Sequence, residues 1–377
     1  MNTAPATDSR QRRLPVTFWL AALLLLLILW ASRTTALTSL PLHNDEGLHL
    51  TRAIAVWDGH PFWDITDGKI INHWPIALFY PQHTPAFAGR LPTVMISMIG
   101  LAAGLALLKQ RFNWLAALLG GLFWISAPYL FFYERIAQSD PEAGALVVVT
   151  VWAALRLVER QSTQAVRRHA LLTGLALVTA TLFKLTAAPF ALAVLLIVTL
   201  AGRITRRQRI EALLIIGVVG AACFAVPMGY LMIKGQGLFE IALGWVGVSG
   251  DQARGPVANL RLLWESLTAF GGVFWAMLII AGLAGLLPYR DTAGRWSGGL
   301  LGALVLSLGV IILLSAMIEP RHFVVSLPLM MLLAGTGWAH WLLHLRALPL
   351  PGNPAAAGAT RVVRRTWFER VSDPRSR

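Results

Sequence analysis

The chain has 377 residues, 56% hydrophobic and only 13% charged, with a mean hydropathy of +0.63. Those proportions exclude a soluble globular domain and point to a polytopic membrane protein. The formal charge of +14 does not imply a nucleic-acid partner, because the Lys and Arg residues fall in short clusters between apolar runs, and a single cysteine, Cys223, leaves no disulfide and no zinc-finger spacing.

Arg10, Arg12 and Arg13 precede an apolar run over 14–31 that lacks a small-residue cleavage site, so the sequence predicts a retained first helix behind a cytoplasmic segment, 1–13. Further runs follow at 91–108, 114–132, 143–157, 171–183, 185–201, 212–233, 267–287, 298–317 and 323–345. Runs of roughly 17 to 25 apolar residues can cross a bilayer. The expected fold is therefore all-α, a polytopic transmembrane helical bundle of about ten helices over 14–345. The fifth and sixth runs are short and meet at Lys184, as a tight hairpin would whose legs need not both cross. A Pro- and Ala-rich basic tail, 346–377, reads as a disordered cytoplasmic extension near anionic lipid headgroups.

Alternating the sides from a cytoplasmic N-terminus puts 22 of the 32 Lys and Arg residues on the cytoplasmic side. Positive charge collects on that side of membrane proteins, so both termini are expected inside and the first long loop, 37–88, outside.

That loop is the polar exception in an apolar chain. Between residues 43 and 85 lie His43, His49, His60, His73 and His83 with Asp45, Glu46, Asp58, Asp64 and Asp67, against only two cations, Arg52 and Lys69. So many titratable side chains beside a membrane mark the first place to look for chemistry. Asp45, His49 and Arg52 are spaced i, i+4, i+7, with Leu50, Ile54 and Trp57 repeating on the other side, which predicts an amphipathic helix at the interface starting near Asn44 or Asp45. A carboxylate on its polar stripe can take a proton from a hydroxyl, and Arg52 and Lys69 can hold a phosphate. Equally, Asp45 can simply cap the helix while Glu46 is solvated. Glu46-Gly47-Leu48-His49 is also an E-x-x-H pair, but no second one appears, so a dedicated metal site has weak support although a divalent ion remains possible.

Later loops add charged candidates on the same expected side. Arg135 and Asp140 can pair with each other at a helix end, or Asp140 can face the acidic loop. Lys184 can snorkel or contact an anion. Glu319-Pro320-Arg321-His322 is either a turn or the seat of a phosphate-binding arginine. No G-x-S-x-G, Walker A or G-x-G-x-x-G stretch is present, so hydrolase elbows and nucleotide cradles are unsupported. A donor for an outward-facing site is more simply a lipid-linked one.

Taken in order, these segments resemble the polytopic GT-C glycosyltransferases, in the branch of the protein O-mannosyltransferases and lipid A aminoarabinose transferases (glycosyltransferase family 39). The resemblance rests on Asp45-Glu46, Gly59 and Pro61, His73-Trp74-Pro75, the stretch from Tyr133 to Pro141, Gly174 to Lys184, and Glu319 to His322 with Pro328, and covers about residues 10 to 345. Where many relatives carry an arginine-aromatic pair, this chain has Gly47-Leu48-His49. The resemblance implies an inverting transfer of a sugar from a polyprenyl phosphate to an acceptor hydroxyl at the outer face. It implies that Asp45 is the general base, that Glu46 orients it or holds an acceptor group, and that Asp140 completes the acidic side. Arg52, Lys69, Lys184 and Arg321 would neutralise the departing phosphate, and His49, His73, Arg135 and His322 would contact substrate. The competing function is a transporter or flippase of lipid-linked sugars. Transporters place charges near the bilayer midplane and break helices in paired halves, whereas these charges gather in loops.

Overall fold

The computed structural model describes residues 16–62, 68–80, 84–200, 203–241, 255–287, 292–314 and 319–346. The expected terminal segments, 1–13 and 347–377, lie outside them, as do Asp64, Asp67 and His83. The described chain is an all-α transmembrane bundle, and about ten spans accord with it. Three helices are long and apolar enough to cross a membrane unaided: α1 (Val16–Thr34), α4 (Pro85–Arg111) and α10 (Arg206–Ile233).

The first long loop carries α2 (Asn44–Trp57) and α3 (His73–Ala77). Helix α2 is the expected amphipathic element, and its N-terminus is built by a reciprocal cap: the Asp45 N–H donates to His43 Nδ1 at 3.2 Å, and the His43 N–H donates to Glu46 Oε2 at 2.8 Å. Its polar stripe faces inward. Glu46, His49 and Arg52 are buried, whereas Leu48 and Trp57 are exposed.

The centre of the bundle is formed by α4, α5 (Trp114–Ser126), α7 (Ser139–Leu157) and α14 (Leu327–Arg346), with α1 against α4 and α5. Bilayer lipid is as apolar as leucine, so close backbone approach has to hold such helices together. Gly120 of α5 and Gly335 of α14 provide it: a methyl group on Gly335 would lie 2.5 Å from Gly120 Cα. A charge pair is locked inside. Arg33, at the end of α1, donates to Glu134 at 2.8 Å and to the Ile125 carbonyl at 2.9 Å, while Trp124 Nε1 donates to the same carboxylate at 2.6 Å.

Two expected spans are broken. The run 114–132 ends as α5 at Ser126 and resumes as the short α6 (Pro128–Tyr133), because Pro128 cannot donate the helical hydrogen bond and restricts Ala127 to extended backbone. The run 267–287 straddles α11 (Pro256–Thr268) and α12 (Gly272–Ala284), which are bent by 102°. Phe270 sits at that bend with φ 61°, a left-handed conformation costing of order 1 to 3 kcal/mol, its ring against Tyr129 and Phe132. At Lys184, where the sequence placed a tight hairpin, α8 (Thr163–Phe183) ends and a 3-10 helix (Leu185–Phe190) leads into α9 (Ala191–Leu200). After α13 (Thr292–Leu314), a second 3-10 helix (Pro320–Val325) precedes α14.

Candidate active site at the loop end of the bundle

Five segments bring the charged candidates to one end: the start of α2, residues 68–72, the start of α7, the junction after α8 at Lys184, and the 3-10 helix 320–325. Residues 68–71 are fixed by main-chain bonds. The N–H groups of Ile70 and Ile71 donate to the Leu182 carbonyl at 2.9 and 3.1 Å, and the Leu185 N–H donates to the Gly68 carbonyl at 3.0 Å. The segment that carries Lys69 is thereby tied to the main chain flanking Lys184. The 3-10 helix is pinned by Ser266 of α11, whose hydroxyl donates to the Pro320 carbonyl at 2.7 Å.

Asp45 is the meeting point. Its carboxylate is paired with Arg321 and lies 3.4 Å from Lys69 Nζ, and its side chain keeps 23% of its exposure. Burial pushes its pKa up, but the charges and hydrogen bonds of Lys69 and Arg321 outweigh burial and hold it below the usual carboxylate value. Lys69 Nζ also lies 3.4 Å from His49 Nε2. Burial, reinforced by Lys69 and Arg52, drives His49 well below the ordinary histidine range, so it is neutral. Asp140, fully buried in the first turn of α7, pairs with Lys184 at 3.7 Å. His322 feels Lys184, Asp140, Arg321 and Lys69, and Arg321 is also paired with Glu319 at 2.6 Å. Within this group the cations Arg52, Lys69, Lys184 and Arg321 outnumber the carboxylates Asp45, Asp140 and Glu319. Such a cluster is suited to an anion, with the carboxylates of Asp45 and Glu319 accessible at its edge.

The remaining candidates are placed differently. Glu46 faces the other way. Its two oxygens accept from Arg90 Nε and Nη2, each at 2.8 Å, from the Ala137 N–H at 2.7 Å, and from His43. A carboxylate so occupied orients α2 and ties it to the segment that carries Asp140. The pair Glu46 and His49 therefore does not converge as metal ligands, and among the described residues no group of three His, Cys, Asp or Glu does so. Arg135 joins neither Asp140 nor the cluster, since its Nη2 donates to the Thr35 and Ala36 carbonyls at the end of α1. His73 is buried with Nε2 3.0 Å from the Pro61 carbonyl, bracing the loop together with Trp74, whose Nε1 donates to the same oxygen.

Sequence reasoning missed Arg90, the partner of Glu46. An arginine inside an apolar run is the signal that could have found it. It also missed Tyr129 and Tyr133, hydrogen-bonded to each other and close enough to Asp140 to interact electrostatically, and Gln138, which precedes α7.

Residues 69–230 match the family model described as dolichyl-phosphate-mannose-protein mannosyltransferase. Among solved structures, ArnT from Cupriavidus metallidurans bound to undecaprenyl phosphate superposes with a TM-score of 0.62 at 16% identity, covering 88% of this chain and 62% of that one. The apo state of the same protein gives 0.62 at 17% identity with the same coverage. The shared fold is thus established, over about three fifths of the length of those structures. No curated protein matches the chain by sequence.

Proposed function

We propose that the chain is a membrane glycosyltransferase that moves a sugar from a polyprenyl-phosphate donor to an acceptor hydroxyl, with inversion, at the outer face of the membrane. The observation that carries this reading is the placing of Asp45, an accessible ionised carboxylate, against Lys69 and Arg321, beside the buried pair Asp140 and Lys184. The solved relative with undecaprenyl phosphate in it supports a lipid phosphate as the anion.

In the proposed reaction the acceptor oxygen attacks the anomeric carbon, its proton passes to Asp45, and the carbon-to-phosphate-oxygen bond breaks with its electron pair leaving on polyprenyl phosphate. Arg321, Lys69 and Lys184 stabilise that leaving group, which needs charge more than it needs a proton. The same cations make the resting base weak. A donor phosphate competes with Asp45 for Arg321 and Lys69, so donor binding frees the carboxylate and raises its basicity when the acceptor needs it. Glu46 acts through Arg90 and Ala137 as a positioning residue for Asp45.

A flippase for lipid-linked sugars would use the cations without the base. Reconstituted protein given labelled polyprenyl-phosphate sugars separates the two. Asp45→Asn should lower transfer by about 10²- to 10⁴-fold while leaving lipid-phosphate binding in place. Translocation of intact lipid at equal rates in wild type and variant would refute the enzyme reading.

A further inference from the structure

Glutamine is an unusual residue to bury at the start of a helix. Gln138 is the N-cap of α7, only 1% exposed, yet its side chain makes no capping hydrogen bond and both of its amide atoms, Oε1 and Nε2, lack a partner. The next residue, Ser139, is fully buried with its hydroxyl likewise unpartnered, and neither carboxylate oxygen of Asp140 accepts a hydrogen bond. Buried polar groups are normally satisfied, and one left without a partner costs about 1 to 3 kcal/mol. Gln138 and Ser139, two in succession and next to the Asp140 that pairs with Lys184, are a polar surface formed in advance of a ligand.

Their position says which part of the ligand. The Ala137 N–H donates to the side-chain carboxylate of Glu46, the neighbour of Asp45, so the main chain just before Gln138 is tied to the residue just after the proposed base. Asp140 meanwhile interacts with His322 and with Lys184, Lys69 and Arg321, the cations assigned above to phosphate. A primary amide offers one acceptor and a donor pair in one plane, the complement of two adjacent hydroxyl groups. We propose that Gln138, with Ser139 and Asp140, is the subsite that reads the hydroxyls of the transferred sugar, and that Gln138 holds a vicinal diol. The inference rests on the glycosyltransferase reading.

The test compares binding of bare undecaprenyl phosphate with binding of undecaprenyl-phosphate-mannose and undecaprenyl-phosphate-glucose to purified wild type and Gln138→Leu. Wild type should bind at least one of the glycosylated lipids more tightly than the bare lipid. The leucine variant should lose about tenfold or more of that preference while its affinity for bare undecaprenyl phosphate is unchanged. Its thermal midpoint should stay level or rise, since leucine removes an unsatisfied buried amide and gives up only one heavy atom of packing. A fallen midpoint with the sugar preference intact means that Gln138 is structural and overturns the subsite. So does a wild type that treats glycosylated and bare lipids alike. Failure of wild type to bind any of the three lipids overturns the function beneath it, a result distinct from the other two.

Discussion

His322 is a histidine that the fold keeps from being charged. Burial and the neighbouring Lys184 lower its pKa from the usual 6.5 to about 3, against the opposing pull of Asp140. The unfolded chain therefore takes up a proton first, and the stability that depends on a neutral His322 is complete above about pH 6.5 and lost as pH falls toward the folded value. His49, lowered by burial, Lys69 and Arg52, adds to the same slope. Thermal unfolding in detergent should show this loss below pH 6.5, and His322→Asn should flatten it; an unchanged slope would count against a buried neutral imidazole. Asp45 works in the other window. Its lowered pKa contributes stability above the ordinary value of 3.8 and loses it below, so the base stays ionised while the histidines titrate. The residue types at the site were legible in the sequence because charges in an apolar chain are conspicuous. Their partners were not. Arg90 is 44 positions from Glu46, and Arg321 is 276 from Asp45, separations that no local pattern encodes.

Helix α2 could be read from its spacing because amphipathic period is a local property, but its cap is made by His43 and Glu46 rather than by Asn44 or Asp45. Which way its polar stripe faced was not local. It turned inward because the bundle supplies Arg90 and the Ala137 N–H, and lipid could not have solvated Glu46. That clamp should behave as a unit. Arg90→Met strands a buried carboxylate and should cost about 3 to 5 kcal/mol, whereas adding Glu46→Gln removes the charge and keeps one acceptor oxygen for the Ala137 or the His43 N–H. Thermal unfolding of the two singles and the double should therefore be far from additive, the double recovering much of the loss. Additive losses would mean that the two residues do not depend on one another. The broken spans were hidden for the opposite reason. Hydropathy runs smoothly through Ala127-Pro128 and through Phe270-Gly271, so composition recorded membrane where the backbone turns.

At the scale of the whole bundle, side-chain hydrophobicity decides which segments enter the membrane but not which helices touch. Glycine contacts decide that. Gly335→Ala should lower the thermal midpoint in detergent because its methyl group would meet the backbone of Gly120, whereas Gly302→Ala, with nothing within 4 Å, should leave it unchanged. Equal midpoints would mean that α5 and α14 can slide apart freely. The bundle end with the cation cluster is assembled by a different means, and the tether at residues 68–71 shows its consequence. The links from Ile70 and Ile71 to Leu182, and from Leu185 to Gly68, consist of amide and carbonyl atoms alone, so alanine scanning along the strap is blind to them. Only a residue without an amide proton cuts the connection. Ile71→Pro should unhitch Lys69 from Lys184 and weaken uptake of a lipid phosphate, where Ile71→Ala spares it. The spacing of the two ammonium groups is thus written in the peptide backbone, which point substitution elsewhere along the strap leaves unedited.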